Sequence, residues 1–246
     1  MSVKVTFVGS GDAFGSGGQF QTCILVDAPG IRFAIDFGTS SLVALNKLGI
    51  AHNTIDAIVL THLHGDHCGG IPFLLMDAML GAKRQSPLVI AGPMDTKAHL
   101  QFVANALMPG IDTMTPKFPV EYVELETLRK CELSGLTVTS YPANHTKQTN
   151  PTAVRVEVGG KVIAYSGDGD WTEHMPTVAR DADLFICECY FYQKPVRFHL
   201  NYPTINARRS ELQTKRLILT HLGPEMLKHK HLIPEECAHD GLVVSI

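Results

Sequence analysis

The loop HLHGDH, residues 62–67, concentrates side chains that bind metals. It directly follows an apolar segment that has the composition of a buried strand. Because residues two apart at a strand end project to the same side, His62 and His64 are expected to hold one metal. Asp66 and His67 follow the turn and are expected to face a second metal. The spacing therefore predicts two half-sites within six residues.

Four residues cannot complete two metal sites, because a catalytic zinc takes about three protein ligands and keeps one position for water. Three further candidates each follow a predicted strand, and the carboxyl ends of strands can meet at one sheet edge. Asp168 is predicted to bridge the two metals, since a carboxylate has two oxygens. Asp170 competes for that role, and Asp168 is preferred because it lies nearer the strand end. The predicted ligands are His62, His64 and His145 for the first metal and Asp66, His67 and His221 for the second.

A lone histidine is more often a core or loop residue than a ligand, which is the alternative interpretation of His145 and His221. The neighbouring HLHGDH loop favours metal binding for both. Six other histidines have no matching motif and are predicted to be structural or surface residues: His52, His99, His174, His229, His231 and His239.

Short apolar or alternating segments along the chain predict the elements that position these residues. Two strand-rich halves, each ending in helices, predict two mixed sheets packed face to face with helices outside. The expected fold is an αββα sandwich of the α/β class, in one domain over residues 1–246. Strands are predicted at 3–8, 22–26, 31–36, 57–60, 88–91, 136–141, 153–158, 161–165, 184–188 and 216–220. Helices are predicted at 40–48, 71–80, 95–107, 171–180 and 204–212.

The composition is that of an ordinary globular protein, with 246 residues, 45% of them hydrophobic and 18% charged. Collagen-like, disordered and coiled-coil classes are excluded. A net charge of −3 gives no overall attraction to a nucleic acid or an anionic membrane. Six cysteines without C-x-x-C spacing, no signal peptide and no long uncharged apolar run predict a cytoplasmic protein without membrane contact.

HLHGDH resembles the H-x-H-x-D-H signature of the metallo-β-lactamase superfamily. The opening FVGSGDAFGSGGQFQTCILVD, followed by IRFAIDFG, is similar to that of its ribonuclease Z and phosphodiesterase branch. The resemblance spans nearly the whole chain and places His145, Asp168 and His221 at ligand positions. It implies two zinc ions at the sheet edge, with manganese or iron as replacements, and a role for Asp36 in orienting a ligand. His64 stands where redox-active di-iron relatives carry Glu, which favours zinc.

The resemblance implies a hydrolase that cleaves phosphodiester bonds with a metal-bound hydroxide. Asp66 is counted among the catalytic residues as well as the ligands. The leaving oxygen needs a proton donor, and His199 is the candidate. Glu188 matches a strand-end glutamate of the branch and is expected to raise the pKa of His199. The sequence departs from the branch in that Leu200 and Asn201 follow the histidine.

The branch members that process transfer RNA carry a long arm between the positions of His145 and Asp168, where only 22 residues lie here. We therefore expect a small or cyclic nucleotide-type phosphodiester as substrate. The alternatives are a ribonuclease Z-like RNA endonuclease, a lactone, thioester or sulfate-ester hydrolase, and a non-enzymatic metal scaffold. A homodimer is expected from the resemblance.

Three other features bear on the site, and the first two have two interpretations each. Residues 194–230 hold eight basic side chains and two acidic ones, which favours either a phosphate-gathering rim or a solvated surface. The aromatic run 190–192 follows Glu188 and either lines the pocket or joins the core. Trp171 is a candidate cover for the metals.

Overall fold

Two seven-stranded sheets form the centre of the molecule, and this computed structural model describes residues 2–246. The first sheet has the order β14-β1-β2-β3-β4-β5-β6 and the second β13-β12-β11-β10-β9-β8-β7. The strands of the first sheet are β1 (Lys4–Gly9), β2 (Cys23–Ala28), β3 (Ile31–Ile35), β4 (Ala57–Val59), β5 (Leu88–Gly92), β6 (Val120–Glu124) and β14 (Leu242–Ser245). Those of the second are β7 (Lys130–Leu133), β8 (Leu136–Pro142), β9 (Thr152–Val158), β10 (Lys161–Tyr165), β11 (Leu184–Glu188), β12 (Leu217–Thr220) and β13 (Glu236–Cys237).

Three apolar layers hold this arrangement together, as burial of apolar area requires. The layer between the sheets includes Phe7, Phe33 and Tyr165. One outer layer joins the first sheet to α1, α3 and α4, and the other joins the second sheet to α5, α6 and α7. The predicted αββα sandwich is confirmed. The helices are α1 (Ser41–Lys47), α2 (Gly65–Cys68), α3 (Ile71–Leu80), α4 (Thr96–Leu107), α5 (Met175–Ala179), α6 (Tyr202–Ala207) and α7 (Pro224–His229).

Two helices begin two or more residues away from their predicted starts, and each has a proline in its first turn. α5 begins at Met175 instead of Trp171, with a proline in its first turn, where the missing N–H costs nothing. α6 begins at Tyr202, where the Asn201 side chain accepts a hydrogen bond from Thr204 N at 3.0 Å. It ends at Ala207, five residues before the predicted end.

Four short strands were not predicted. β6 and β7 alternate between exposed and partly buried residues and have no strong apolar run. β13 has only two residues. β14 lies at the sheet edge, where it pairs with β1 over Lys4 to Phe7. Edge strands bury one side only, so their sequences carry a weak hydrophobic signal.

Strand direction brings both sheets to one functional edge. β3, β4, β5 and β6 run parallel, as do β10, β11, β12 and β13. The carboxyl end of each parallel strand therefore lies at the same edge of its sheet. Every predicted metal ligand follows β4, β8, β10 or β12 at this edge.

The segment between His145 and Asp168 is a plain hairpin. β9 and β10 pair antiparallel, with Val158 opposite Lys161. Gly159 and Gly160 form the turn with positive φ values of 57° and 75°. This position carries no inserted arm, as predicted. Within residues 2–246, no helix has the length and apolar content needed to cross a bilayer.

The loop that carries HLHGDH packs directly against the end of β3. Phe37 N donates to His67 O at 2.6 Å, and Gly70 N donates to Phe37 O at 3.0 Å. A Cβ on Gly70 would lie 2.2 Å from Gly38 O and 2.8 Å from the Phe37 ring. Only glycine permits this approach, so Gly70 fixes the loop against the strand end.

We expect Gly70→Ala to lower the free energy of unfolding by at least about 2 kcal/mol, because the new methyl group meets backbone. Urea denaturation followed by circular dichroism measures the change. Gly65→Ala is the matched control, since a Cβ there meets nothing within 4 Å. Equal stability of Gly70→Ala and the wild type would show that the loop can shift freely.

Candidate metal centre

Three histidines converge where the loop after β4 meets the loop after β8. His64 Nδ1 lies 3.2 Å from His62 Nε2 and 3.0 Å from His145 Nε2. His62 is fully buried and His145 is 6% exposed. The structure thus brings together the three side chains predicted for the first metal.

Hydrogen bonds determine which ring nitrogen carries the proton in His62 and in His145. His145 Nδ1 donates to the carbonyl oxygen of Phe198 at 2.7 Å. Thr61 Oγ1 donates to Asp36 Oδ2 at 2.8 Å, so its oxygen accepts from His62 Nδ1 at 3.1 Å. In the neutral rings, both Nε2 atoms therefore present lone pairs to the cluster. These are the atoms that a metal would bind.

A second group of buried donors comprises Asp66, His67, Asp168 and His221. Asp66 Oδ2 lies 3.4 Å from His67 Nε2 and 3.3 Å from His221 Nε2. Asp168 directs one oxygen toward His67 Nε2 at 3.4 Å and the other toward His221 Nε2 at 3.3 Å. All four donor atoms lie within 4.8 Å of one another. The structure therefore also brings together the residues predicted for the second metal.

The two clusters adjoin, since the ring centroids of His62 and His67 are 4.1 Å apart. Asp168 belongs to the second cluster by distance, and its bridging role stays a prediction. Asp170, the alternative bridge, accepts from Asn144 Nδ2 at 2.9 Å and Phe198 N at 3.0 Å. It holds two loops together and lies outside both donor clusters of the described residues.

Asp36 supports the loop from the end of β3 and is fully buried. Its Oδ1 accepts from Thr61 N at 2.8 Å, and its Oδ2 accepts from His67 Nδ1 at 2.7 Å. This contact leaves His67 Nε2 facing the donor cluster. Asp36 and His221 both have positive φ, 59° and 56°, a conformation that aspartate and histidine adopt more readily than most residues. Both bends lie at strand ends beside the donor clusters.

The charges of the two clusters differ. Burial and the neighbouring His67 lower the pKa of His62 well below its usual value, and burial and His145 lower the pKa of His64. Burial alone would lower the pKa of His67, but Asp168, Asp66 and Asp36 raise that pKa well above its usual value. Burial would also lower the pKa of His221, but Asp168 and Asp66 outweigh burial and raise that pKa to about 9.

Buried atoms without partners show that the site fits metal ions. His67 Nε2 and Asp168 Oδ1, which both face the second cluster, have no hydrogen-bond partner, although each is buried. Buried polar atoms normally find one, so such a group needs an explanation. Neutral imidazole nitrogens and carboxylate oxygens are the donors that zinc prefers. The donor set and its unpaired atoms therefore match a pair of divalent ions.

Glu188 and His199 form a pair beside the second cluster. Glu188 Oε1 accepts from His199 Nδ1, and Oε2 accepts from Gly169 N at 3.0 Å and Leu200 N at 3.2 Å. Burial and the charge of Asp168 raise the pKa of Glu188. Burial opposes protonation of His199, but the Glu188 hydrogen bond outweighs it and raises the pKa of His199. The imidazole is thus held in its charged form.

Residues of both clusters and His199 line a cavity of about 410 Å³. Tyr190 and Phe191 line this cavity, so for these two residues of the aromatic run 190–192 the pocket interpretation is confirmed. Tyr192 instead stacks on His229 with ring centroids 4.5 Å apart.

Trp171 does not line the cavity, because it packs on the outer layer beneath Arg208. The prediction that Trp171 covers the metals is wrong. The other lining residues are Ala13, Phe14, His64, Gly65, Asp66, His145, Asp168, His199 and His221.

Acidic partners engage three of the eight basic side chains in the segment 194–230. Arg216 donates two hydrogen bonds to Glu236 at 2.8 and 2.9 Å. Arg208 bonds Glu211 at 3.0 Å, and Lys215 bonds Asp183 at 2.8 Å. For these three residues the surface interpretation holds.

Sequence reasoning missed Asp12, which is fully buried near the cavity. Its Oδ1 accepts from Phe14 N at 3.2 Å and Ser16 N at 2.9 Å, and its Oδ2 accepts from Ser16 Oγ at 2.6 Å. The glycine-rich opening FVGSGDAFGSGG was the available signal. An aspartate followed by turn residues is typical of such a loop.

The sandwich and its donor clusters define the class of protein, the metallo-β-lactamase fold. The crystal structure of YhfI from Bacillus subtilis, a metallo-β-lactamase fold protein, matches with a TM-score of 0.78 at 23% identity, covering 100% of this chain and 99% of that one. The family model of the anti-Pycsar protein Apyc1 matches residues 3–242, and the chain belongs to this family.

Two named relatives are similar over most of their length. The anti-Pycsar protein Apyc1 of Bacillus phage 010DV004 is 24% identical over 236 residues, covering 92% of this chain and 91% of that protein. A ribonuclease Z of Agathobacter rectalis is 25% identical over 271 residues, covering 88% and 86%. The predicted resemblance to this branch of the superfamily is confirmed.

We expect Asp36→Asn to weaken zinc binding about 10- to 100-fold, because the carboxylate that orients His67 is lost. Competition with a chromogenic chelator measures the affinity. His52→Ala is the matched control, since His52 contacts Asp77 and lies outside the donor clusters of residues 2–246. An unchanged affinity in Asp36→Asn would show that His67 does not need this support.

Proposed function

We propose that this protein is a dinuclear zinc hydrolase that cleaves phosphodiester bonds in small or cyclic nucleotide-type substrates. One observation carries the proposal: residues of both adjoining donor clusters lie on the walls of one cavity together with His199, which Glu188 holds from behind. The donor geometry supports an enzyme over a scaffold, because a structural metal needs neither a second site nor an adjoining acid–base pair. We further propose that residues 1–246 act as one domain, in a cytoplasmic homodimer.

His62, His64 and His145 would hold one ion, and Asp66, His67 and His221 the other, with Asp168 between them. Two such ions activate a water molecule and stabilise the charge that develops on phosphoryl oxygens. Asp66 is placed in the catalytic set because it lies on the cavity wall as well as in the cluster. Zinc fits the nitrogen-rich donors, and manganese or iron are alternatives.

His199 would donate a proton to the leaving oxygen. Its Nδ1 is held by Glu188, and its ring lines the cavity 4.9 Å from the ring centroid of His145. The raised pKa favours the protonated form of His199, which a general acid requires. Backbone contacts of Glu188 to Gly169 and Leu200 fix the carboxylate, so the pair is pre-oriented.

Cavity size and surface charge support a small substrate. The volume of about 410 Å³ lies in the range of small-ligand pockets, roughly 300–1,000 Å³. The hairpin turn at Gly159 and Gly160 offers no arm for a folded RNA. Ion pairs engage three of the eight basic side chains of residues 194–230.

The second candidate is an RNA-processing endonuclease, which the relation to ribonuclease Z favours. Because the arm is absent, such an enzyme would need to bind RNA through other surfaces. Binding of RNA that weakens steeply with salt would support this candidate, because phosphate contacts release counterions.

We expect about two zinc ions per chain and hydrolysis of bis-para-nitrophenyl phosphate and cyclic nucleotides by the zinc-loaded protein. A transfer-RNA precursor, a lactone, a thioester and an aryl sulfate are expected to react at least about tenfold more slowly. Elemental analysis measures the zinc content, and initial rates measure the hydrolysis of each substrate. Turnover of only the lactone, thioester or sulfate ester would overturn the phosphodiester assignment, and turnover of the precursor alone would favour the endonuclease.

We expect His199→Ala to lower kcat on the best phosphodiester about 100-fold or more, with zinc content unchanged. Glu188→Gln removes the charge that raises the pKa of His199, so the fall of kcat at high pH should begin at a lower pH. The pH–rate profile measures this shift. A profile identical to that of the wild type would show that His199 does not supply the proton. His229→Ala, which changes a histidine outside the donor clusters of the described residues, is the control.

A further inference from the structure

Phe14 lies at the mouth of the metal cavity with 83% of its surface exposed. A phenyl ring in water contributes no burial energy to folding. Single exposed apolar residues are common on proteins, so exposure by itself carries no meaning. The loop beneath Phe14, however, is held by buried groups that the proposed chemistry does not use.

Asp12 is the first of these groups. Its carboxylate accepts hydrogen bonds from the backbone of Phe14 and Ser16, on either side of the loop tip. A buried carboxylate is costly unless several donors satisfy it. Here the donors come from the loop itself, so the charge of Asp12 fixes the position of Phe14.

Contacts from the end of the chain brace the same loop. Asp240 accepts from Ser10 N at 3.0 Å and from Phe20 N at 2.8 Å, at the two ends of the loop. A Cβ on Gly17, whose φ is 67°, would lie 2.9 Å from Leu227 Cδ1 on α7. The loop is therefore positioned from three sides, and Phe14 projects from a fixed base.

Two further aromatic rings, those of Tyr190 and Phe191, line the same cavity as Phe14. The ring centroid of Tyr190 lies 4.7 Å from that of Phe191 and 5.0 Å from that of His199. Burial and the neighbouring Asp12 carboxylate raise the pKa of the Tyr190 phenol to about 12, so the ring stays neutral. Asp12 thus faces both Phe14 and Tyr190.

We propose that Phe14 and the Tyr190–Phe191 pair form an aromatic slot that stacks a planar heterocycle of the substrate, a nucleobase. Phe14 is then a specificity-determining residue. The inference rests on the proposed function, since it assumes that the cavity takes a phosphodiester. Stacking tolerates any base because each has a π-face, so the slot requires a base without selecting one.

Isothermal titration of the zinc-loaded protein with AMP and with ribose 5-phosphate tests the slot. The two probes share a sugar and a phosphate and differ in the base. We expect the wild type to bind AMP more tightly, and Phe14→Ala to weaken AMP binding about 5- to 100-fold. Ribose 5-phosphate binding should change less than about twofold. Phe14→Trp should restore AMP binding, because it returns a stacking surface.

Phe102→Ala is the matched control, since Phe102 is 73% exposed on α4, away from the cavity, and should leave both affinities unchanged. The slot is overturned if the wild type binds AMP no better than ribose 5-phosphate. It is also overturned if Phe14→Ala leaves AMP binding unchanged or weakens both probes equally.

The binding readout separates this inference from the proposed function. A protein that loses AMP binding on Phe14→Ala yet hydrolyses no phosphodiester would retain the slot and overturn the function. A protein that hydrolyses phosphodiesters while Phe14→Ala binds AMP like the wild type would retain the function and overturn the slot.

Discussion

Burial of carboxylates and imidazoles at one sheet edge is the constraint on which the site depends. Asp36, Asp66, Asp168 and Glu188 are each less than 9% exposed, and a buried carboxylate needs a compensating positive charge. In the bare protein, protons on His67 and His221 supply that charge. A metal ion would replace these protons, so metal affinity must fall as the pH is lowered. Protons and metal cations therefore compete for the same donor atoms.

The site forms where the edges of the two sheets meet, because each sheet contributes part of the donor set. The first sheet contributes Asp36 and the loop after β4, and the second contributes the ends of β8, β10, β11 and β12. The sheets contact each other through the apolar layer, so the donors from each are held at fixed separation. The close approach at Gly38 and Gly70 adds the final constraint on the loop.

The sequence predicted the fold and the grouping of the seven donors because both depend on local patterns. Apolar runs mark buried strands, and a strand-end histidine or aspartate follows at once in the chain. Asp12, the stacking of Tyr192 on His229 and the pairing of Arg216 with Glu236 were not predictable in this way. Each depends on contacts between distant segments or on which side of an element a residue faces. Edge strands such as β13 were missed because two residues carry no periodicity.

The contacts of Asp240 and β14 impose an order on biosynthesis. The loop over residues 10–20 is made first, but its anchors, Leu227 and Asp240, lie near the other end of the chain. β1 likewise completes its pairing only with β14. The mouth of the cavity therefore takes shape only after residues 227–245 have been synthesised. Nascent chains released early would lack this geometry and would expose an unpaired strand to quality-control proteases.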